Sequence, residues 1–312
     1  GLEDMTDHDQ RYDRADEYMQ VVYKLWEHSW EEGAIVCDRE ADIHTDAAKV
    51  HEINHQGKYF DVPGPHMCEP SPQRTPVLFQ AGASGRGKEF AAAQAEAVFG
   101  PSQTIADSEA GTRGYRELLA AKGRAPEDIK LIQGLAVIVA PTDEEARLKA
   151  ETCRHYANVE GVLALVSGWL GTDLSTLDPS KPLEESDNNA IRGLTKVFQQ
   201  IDPDRVWTVE EIGKATSIGS IFPKLIGSPT TVADEMEGWM EEGGVDGFNI
   251  HPVTFPTGFE DFVNMVVPEL QRRGRFRTAY ESDTLRESFF GPGRKRLPAT
   301  HPAHRALPPW RQ

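Results

Sequence analysis

Ser84 stands in a turn with glycines at 82, 85 and 87, between the apolar run Thr75-Pro76-Val77-Leu78-Phe79 and the alanine-rich segment that starts at Phe90-Ala91-Ala92-Ala93. Strand, turn, helix is the expected order: a short apolar run after a proline reads as a buried strand, and an alanine-rich stretch without a breaker reads as a helix. A hydroxyl donor, glycines that let backbone approach a ligand, and amide hydrogens at the positive end of a helix dipole together suit an anion the size of a phosphate. The same residues also make an ordinary tight βα connection, and taken alone they do not choose between the two. Gly82, Gly85 and Gly87 are spaced G-x-x-G-x-G, which is not the dinucleotide fingerprint, and no acidic residue ends a following strand where it would hold a ribose. A second pair is His8 and Tyr12, four apart in a segment with helical spacing. On a helix they share a face and aim an imidazole and a phenol at one place, although from these residues alone a frayed helix start with Tyr12 packed on a neighbour is the favoured reading. Among His44, His51, His55 and His66, the i, i+4 pair His51 and His55 could ligate a metal, but no third ligand of known pattern accompanies them. Solvated loop histidines and no metal are expected.

The elements that must position these groups follow in order. Thr6-Asp7-His8-Asp9 offers N-cap residues, and Tyr12, Ala15, Tyr18, Met19, Val22 and Leu25-Trp26 continue at helical spacing, predicting a long helix to about His28. Lys58 to Val62 reads as part of a small hairpin. After the Ser84 turn, a short strand is expected at Ala95 to Phe99, a loop at 102–110, a helix at 112–122, and an apolar strand from Ile129 to Ala140. Residues 146–226 break the rhythm as a mostly helical insert, of the kind that forms a lid or a substrate wall. A helix capped by Ser228, a last strand at Gly247-Phe248-Asn249-Ile250 and a closing helix from Phe259 to Arg273 complete the pattern. Alternating strands and helices demand a parallel sheet with helices outside, so the fold class is α/β.

Composition narrows the function classes. Lys+Arg 33 against Asp+Glu 50 leaves a net charge of −17, a field that repels phosphate backbones and anionic lipid heads, so neither nucleic acid nor membrane is an expected partner. Cys37, Cys68 and Cys153 form no C-x-x-C pair, which suits a reducing compartment, and the cytoplasm is the expected location. No apolar run approaches the roughly 20 residues of a membrane span, and the first residues lack the pattern of a signal peptide.

The run Gln80-Ala81-Gly82-Ala83-Ser84-Gly85-Arg86-Gly87-Lys88-Glu89-Phe90-Ala91 resembles a signature of the bacterial luciferase-like flavin monooxygenases, in the branch of the nitrilotriacetate, dibenzothiophene sulfone and dimethyl sulfide enzymes. Further segments agree in order: the run from His8 to Glu17, Gly57-Lys58-Tyr59-Phe60, Ser167-Gly168-Trp169, Asp246-Gly247-Phe248-Asn249 and Val267-Pro268-Glu269-Leu270-Gln271. This resemblance implies a TIM (β/α)8 barrel of the luciferase-like type and an FMNH2-dependent monooxygenase component of a two-component system. A separate NAD(P)H:flavin reductase would supply reduced FMN, and one oxygen of O2 would enter a small organic substrate through a peroxyflavin. It further implies a homodimer. The site residues it implies are Ser84 and the Gly85 N–H on the flavin phosphate, Tyr12 on the phosphate or the ribityl arm, and His8 near the flavin. Arg86 is a lesser candidate, because a solvated arginine at a helix start fits as well.

Only about four βα units can be counted, near Val77, Ala97, Leu135 and Phe248, where a closed barrel needs eight. The expectation is therefore a partial barrel domain over 1–286, the C-terminal half, with a Pro/Arg-rich tail over 287–312 that is disordered or draped. The chain opens on Gly1 and enters a helix at once, which reads as a fragment. Two competing readings follow: a truncated, inactive half-barrel serving as a structural or interaction domain, and an unrelated sugar- or phosphate-processing barrel enzyme with Asp246 as its strand-end carboxylate.

Overall fold

Asp7 starts the first helix by accepting the N–H of Asp9, and the helix runs His8–Tyr23 (α1) before a π-helical turn, Lys24–His28, carries it on as expected. The computed structural model describes residues 7–81, 84–100, 102–170, 173–182, 195, 197–199, 201–202 and 204–304. In chain order the remaining elements are β1 (Ile35–Asp38), β2 (Ile43–Thr45), β3 (His55–Gln56), β4 (Asp61–Val62), β5 (Phe79–Gln80), α2 (Gly85–Gln94), β6 (Ala97–Gly100), α3 (Ile105–Ala121) and β7 (Lys130–Val139). Then come α4 (Asp143–Tyr156), α5 (Val159–Leu170), α6 (Val209–Thr216), β8 (Lys224–Gly227), α7 (Pro229–Glu241), β9 (Gly247–Pro252), α8 (Thr257–Asp261), α9 (Val267–Arg272) and α10 (Leu285–Phe290). The described residues fall into two compact units, one drawn from Gly1–Val98, Gly114–Lys130 and Ala279–Gln312, the other from Phe99–Arg113 and Leu131–Thr278.

In the first unit β5 and β6 pair in parallel, Phe79 with Ala97 and Gln80 with Val98, joined by α2. Two antiparallel pairs precede them, β1 with β2 and β3 with β4. The second is the hairpin expected around Lys58, and Glu17 of α1 docks it by accepting the N–H groups of Tyr59 and Phe60. The core gathers Val21 and Tyr23 of α1, Ala91 and Ala92 of α2, Ala97 and Val98 of β6, and Leu119 of α3. Alanine on α2 is what lets α1 come close, because each small side chain lowers the height of the ridge between the helices.

In the second unit β7 is the central strand, with β8 and β9 parallel on either side; Ala136 stands opposite both Lys224 and His251. Leu135, Val137 and Val139 point to one face and pack with Val232, Met236 and Trp239 of α7 and with Phe262 and Leu270. The other face is built of small residues where chain crosses it: a Cβ at Gly134 would lie 2.4 Å from the ring of Phe222. A smaller apolar cluster joins Val166 of α5, Val209 and Ile212 of α6, Leu174 and Phe198.

The structure departs from expectation at three places. The helical insert does not run to 226, because Lys224–Gly227 is a strand of the parallel sheet; at four residues with a lysine first, it carries too few apolar positions to display a period. That raises the described parallel strands from four to five. The loop expected at 102–110 is mostly helix, since α3 starts at Ile105 with Thr104 accepting the N–H of Asp107. The third is the tail. Its expected disorder is corrected for the described residues 287–304: α10 continues to Phe290, and Leu297, His301 and Ala303 are buried against Tyr23 and Gln94 of the first unit. Prolines and arginines in this segment read as solvated, but the three buried side chains and a core arginine, Arg286, tie it down. The part of the tail beyond 304 lies outside the described residues.

Candidate functional site

Ser84 has extended backbone (φ −67°, ψ 158°) and is the N-cap of α2, its Oγ accepting the Gly87 N–H at 3.0 Å. This is the local reason for a serine before a glycine-rich first turn: the hydroxyl satisfies one of the amides that a helix start leaves without a carbonyl a turn earlier. The amides of Gly85 and Arg86 belong to that same unsatisfied set by geometry. A Cβ on Gly85 would meet nothing within 4 Å, so there is room beside this position. Gly82 and Ala83, the first half of the glycine turn, lie outside the described residues.

Tyr12 of α1 reaches the same corner. A Cβ added at Gly87 would stand 2.7 Å from the Tyr12 hydroxyl and 2.9 Å from Ser84 Oγ, so both oxygens border position 87, which has no room for a side chain. The Tyr12 ring is held edge-on to His8 (centroids 5.2 Å) and tilted against Phe90 of α2 (5.5 Å). His8, at the exposed first position of α1, places Nδ1 2.8 Å from Asp9 Oδ1. The structure thus brings His8, Tyr12, Ser84 and Gly85 together in the first unit.

Arg86 reaches across to α1. Its guanidinium lies over the Tyr12 ring and pairs with Asp16 and, at 3.4 Å, with Asp13, both on α1; the Asp16 bond raises its pKa further. Asp13 and Asp16 were not singled out in the sequence, yet their i, i+3 spacing places two acids on the α1 face that meets α2. Nearby, Lys88 lies over the ring of Tyr115, whose hydroxyl burial pushes up to about 12, with the neighbouring Tyr12 adding to the shift. The first turn of α2 therefore presents amides and hydroxyls, while its one arginine is matched by carboxylates.

The other candidates resolve differently. His51 sits 2.7 Å from Glu31, and His55 contacts Glu17 and Lys24, so the two rings have separate partners. No group of three His, Cys, Asp or Glu side chains is placed to hold a metal among the described residues. Asp246 precedes β9, at its N-terminal end, and both its N–H and a carboxylate oxygen bond the backbone of Leu131. Barrel chemistry belongs at the C-terminal ends of strands, so Asp246 ties strand starts together. Trp169 lies among residues whose side chains are outside the described set. No described helix is long and apolar enough to cross a membrane.

Residues 1–247 match the family described as luciferase-like monooxygenase. The chain is 45% identical over 303 residues to the dimethyl-sulfide monooxygenase of Hyphomicrobium sulfonivorans, covering 97% of this chain and 63% of that protein. Among solved structures it is similar to DmoA from Hyphomicrobium sulfonivorans, at 45% identity with a TM-score of 0.88, covering 97% of this chain and 64% of that one. It is also similar to a riboflavin lyase solved with modified FMN and riboflavin, at 36% identity with a TM-score of 0.84, covering 97% and 67%. The chain thus spans less than two thirds of the length of the curated dimethyl-sulfide enzyme. An α/β fold of parallel strands and helices, the signature around Ser84 and these matches agree, and the chain belongs to the luciferase-like monooxygenase family.

Proposed function

We propose that this chain is part of the oxygenase component of a two-component monooxygenase, which takes reduced FMN from a separate NAD(P)H:flavin reductase and places one oxygen atom of O2 in a small organic substrate. In this reading residues 1–286 carry the C-terminal half of a (β/α)8 barrel, the tail follows from 287, and the enzyme works in the cytoplasm as a homodimer.

The observation that carries the proposal is the convergence of the Tyr12 and Ser84 hydroxyls at Gly87, beside the open first turn of α2. A terminal phosphate fits these donors. Ser84 Oγ already accepts the Gly87 N–H, so its own proton points to whatever lies in front of the helix. The Gly85 amide adds a second donor along the helix dipole, and Tyr12 reaches the phosphate or the ribityl arm. His8 stands beside Tyr12 and would lie near a flavin held there. Because Arg86 is neutralised by Asp16 and Asp13, the phosphate is held by oriented dipoles more than by a cation. When bound, reduced flavin supplies the electrons that activate O2; the chain's own residues bind, orient and exclude water.

Titration with FMN, with FMNH2 and with riboflavin, followed by flavin fluorescence, tests this. Saturable binding is expected, with FMN tighter than riboflavin, and Ser84→Ala and Tyr12→Phe should each weaken FMN by about five- to thirtyfold, the value of one or two lost hydrogen bonds. Absence of saturable binding would reject the oxygenase reading and leave an inactive half-barrel.

A further inference from the structure

Just before the tail, α10 delivers one arginine into the core of the first unit. Arg286 is 1% exposed and lies against Glu96, 2% exposed, with Nε 2.7 Å from one carboxylate oxygen and Nη2 3.0 Å from the other. The rest of the guanidinium donates to the carbonyls of Gln73, Thr75, Pro76 and Lys295. Glu96 in turn accepts the N–H of Leu78, and Glu27, at the end of the π-helical turn that extends α1, accepts both the N–H and the hydroxyl of Thr75. Residues 73–78 lead directly into β5 and the Ser84 turn, Glu96 follows α2, and Glu27 ends the helix that carries Tyr12. Both walls of the candidate site are thus tied, at their far ends, to one buried polar node.

A buried ion pair contributes little net stability over apolar side chains of the same shape, because desolvation offsets the attraction; what it imposes is direction, since each donor of a planar guanidinium must find its acceptor. A backbone segment tied through the carbonyls of Gln73, Thr75 and Pro76 to the guanidinium, and through the Leu78 N–H to Glu96, cannot slip along its axis without breaking several of those bonds. We propose that Arg286 is a positioning residue for the anion site: through Glu96 and Thr75 it sets the register of the 73–80 segment, and so the place of Ser84 and Gly85 relative to Tyr12. The inference rests on the flavin reading for its ligand, though not for its mechanical part.

Arg286→Lys keeps the charge and loses the fork. Its FMN affinity is expected to fall about tenfold or more while riboflavin affinity, which involves no phosphate, changes less than about twofold. Ser84→Ala should cost less FMN affinity in this background than in the parent, as two residues acting on one contact do not add. Without any flavin, hydrogen exchange at the amides of Gly87 and Lys88, which bond to Ser84, should quicken about tenfold while those of 91–95 stay protected. Should Arg286→Lys fail to fold, Arg286→Met with Glu96→Gln removes the pair without orphaning a charge and is read the same way. Equal loss for FMN and riboflavin, or a lowered melting temperature with unchanged FMN affinity and unchanged exchange at Gly87 and Lys88, overturns the proposal. If the parent binds neither flavin but the exchange effect appears, the flavin reading fails and the positioning role stands.

Discussion

Two arginines sit at opposite ends of the same pair of elements in the first unit and behave differently. Arg86, at the open corner with its side chain 24% exposed, pairs with Asp16 and Asp13 on the surface of α1. Arg286, at the closed end and 1% exposed, is matched donor by donor to a carboxylate and four carbonyls. The open corner carries helix-start amides that no carbonyl a turn earlier can meet, with room beside Gly85, whereas the closed end satisfies its polar groups internally. A binding site needs the first condition and the scaffold behind it the second: donors must be available to a ligand, and they must be held where that ligand meets them all at once.

The contrast can be broken by substitution. Arg286→Met alone strands the Glu96 carboxylate in the core and is expected to destabilise the chain by about 3–5 kcal/mol, read by denaturant or thermal melting; a loss below about 1 kcal/mol would show that the closed end is not closed. His301 gives a pH handle on the same end. It is buried, its Nε2 lies 2.9 Å from Gln94 O and its Nδ1 accepts the N–H of Ala303, an arrangement with no room for a second ring proton. Burial lowers its pKa from 6.5 to about 4. The unfolded chain therefore binds this proton first, so the stability His301 contributes is complete above pH 6.5 and is lost as pH falls toward 4. By linkage that loss is up to about 3 kcal/mol, and His301→Gln should remove this part of the acid sensitivity.

At the open corner, Gly87→Ala forces the Tyr12 and Ser84 hydroxyls apart. It should cost about 1–3 kcal/mol in stability and more in FMN affinity than in riboflavin affinity; an unchanged ratio would mean that the two oxygens do not share a ligand atom. The smallest effect is expected from Arg86→Gln, where a partly exposed pair is screened: less than about 1 kcal/mol in stability, shrinking in high salt, and little change in FMN binding. A large loss of FMN affinity there would move the anion onto the guanidinium and away from the helix start.

Much of the open corner was legible because its information is local. Ser84 and the glycines after it announce a capped helix start, and the i, i+4 spacing of His8 and Tyr12 puts both on one face whatever the rest of the fold does. The paired signatures were recognisable as a family resemblance for the same reason. By contrast, β8 at Lys224–Gly227 is a strand only because β7 offers it a ladder, and no four-residue window reveals that. The register of the Ser84 turn against α1 was likewise out of reach, as it depends on α2 meeting α1 through its alanines.

The amino-acid order by itself determined the alternation of strands and helices, the cap at Ser84, the shared face of His8 and Tyr12, and a net charge that disfavours nucleic acid. Only the tertiary structure decided that Tyr12 and Ser84 both border Gly87, that Asp16 and Asp13 pair with Arg86 beside them, and that Arg286 is a core residue. The reason is range: caps and periods are set by neighbours within a few residues, whereas an arginine's burial depends on a carboxylate 190 positions earlier that nothing in its own surroundings specifies.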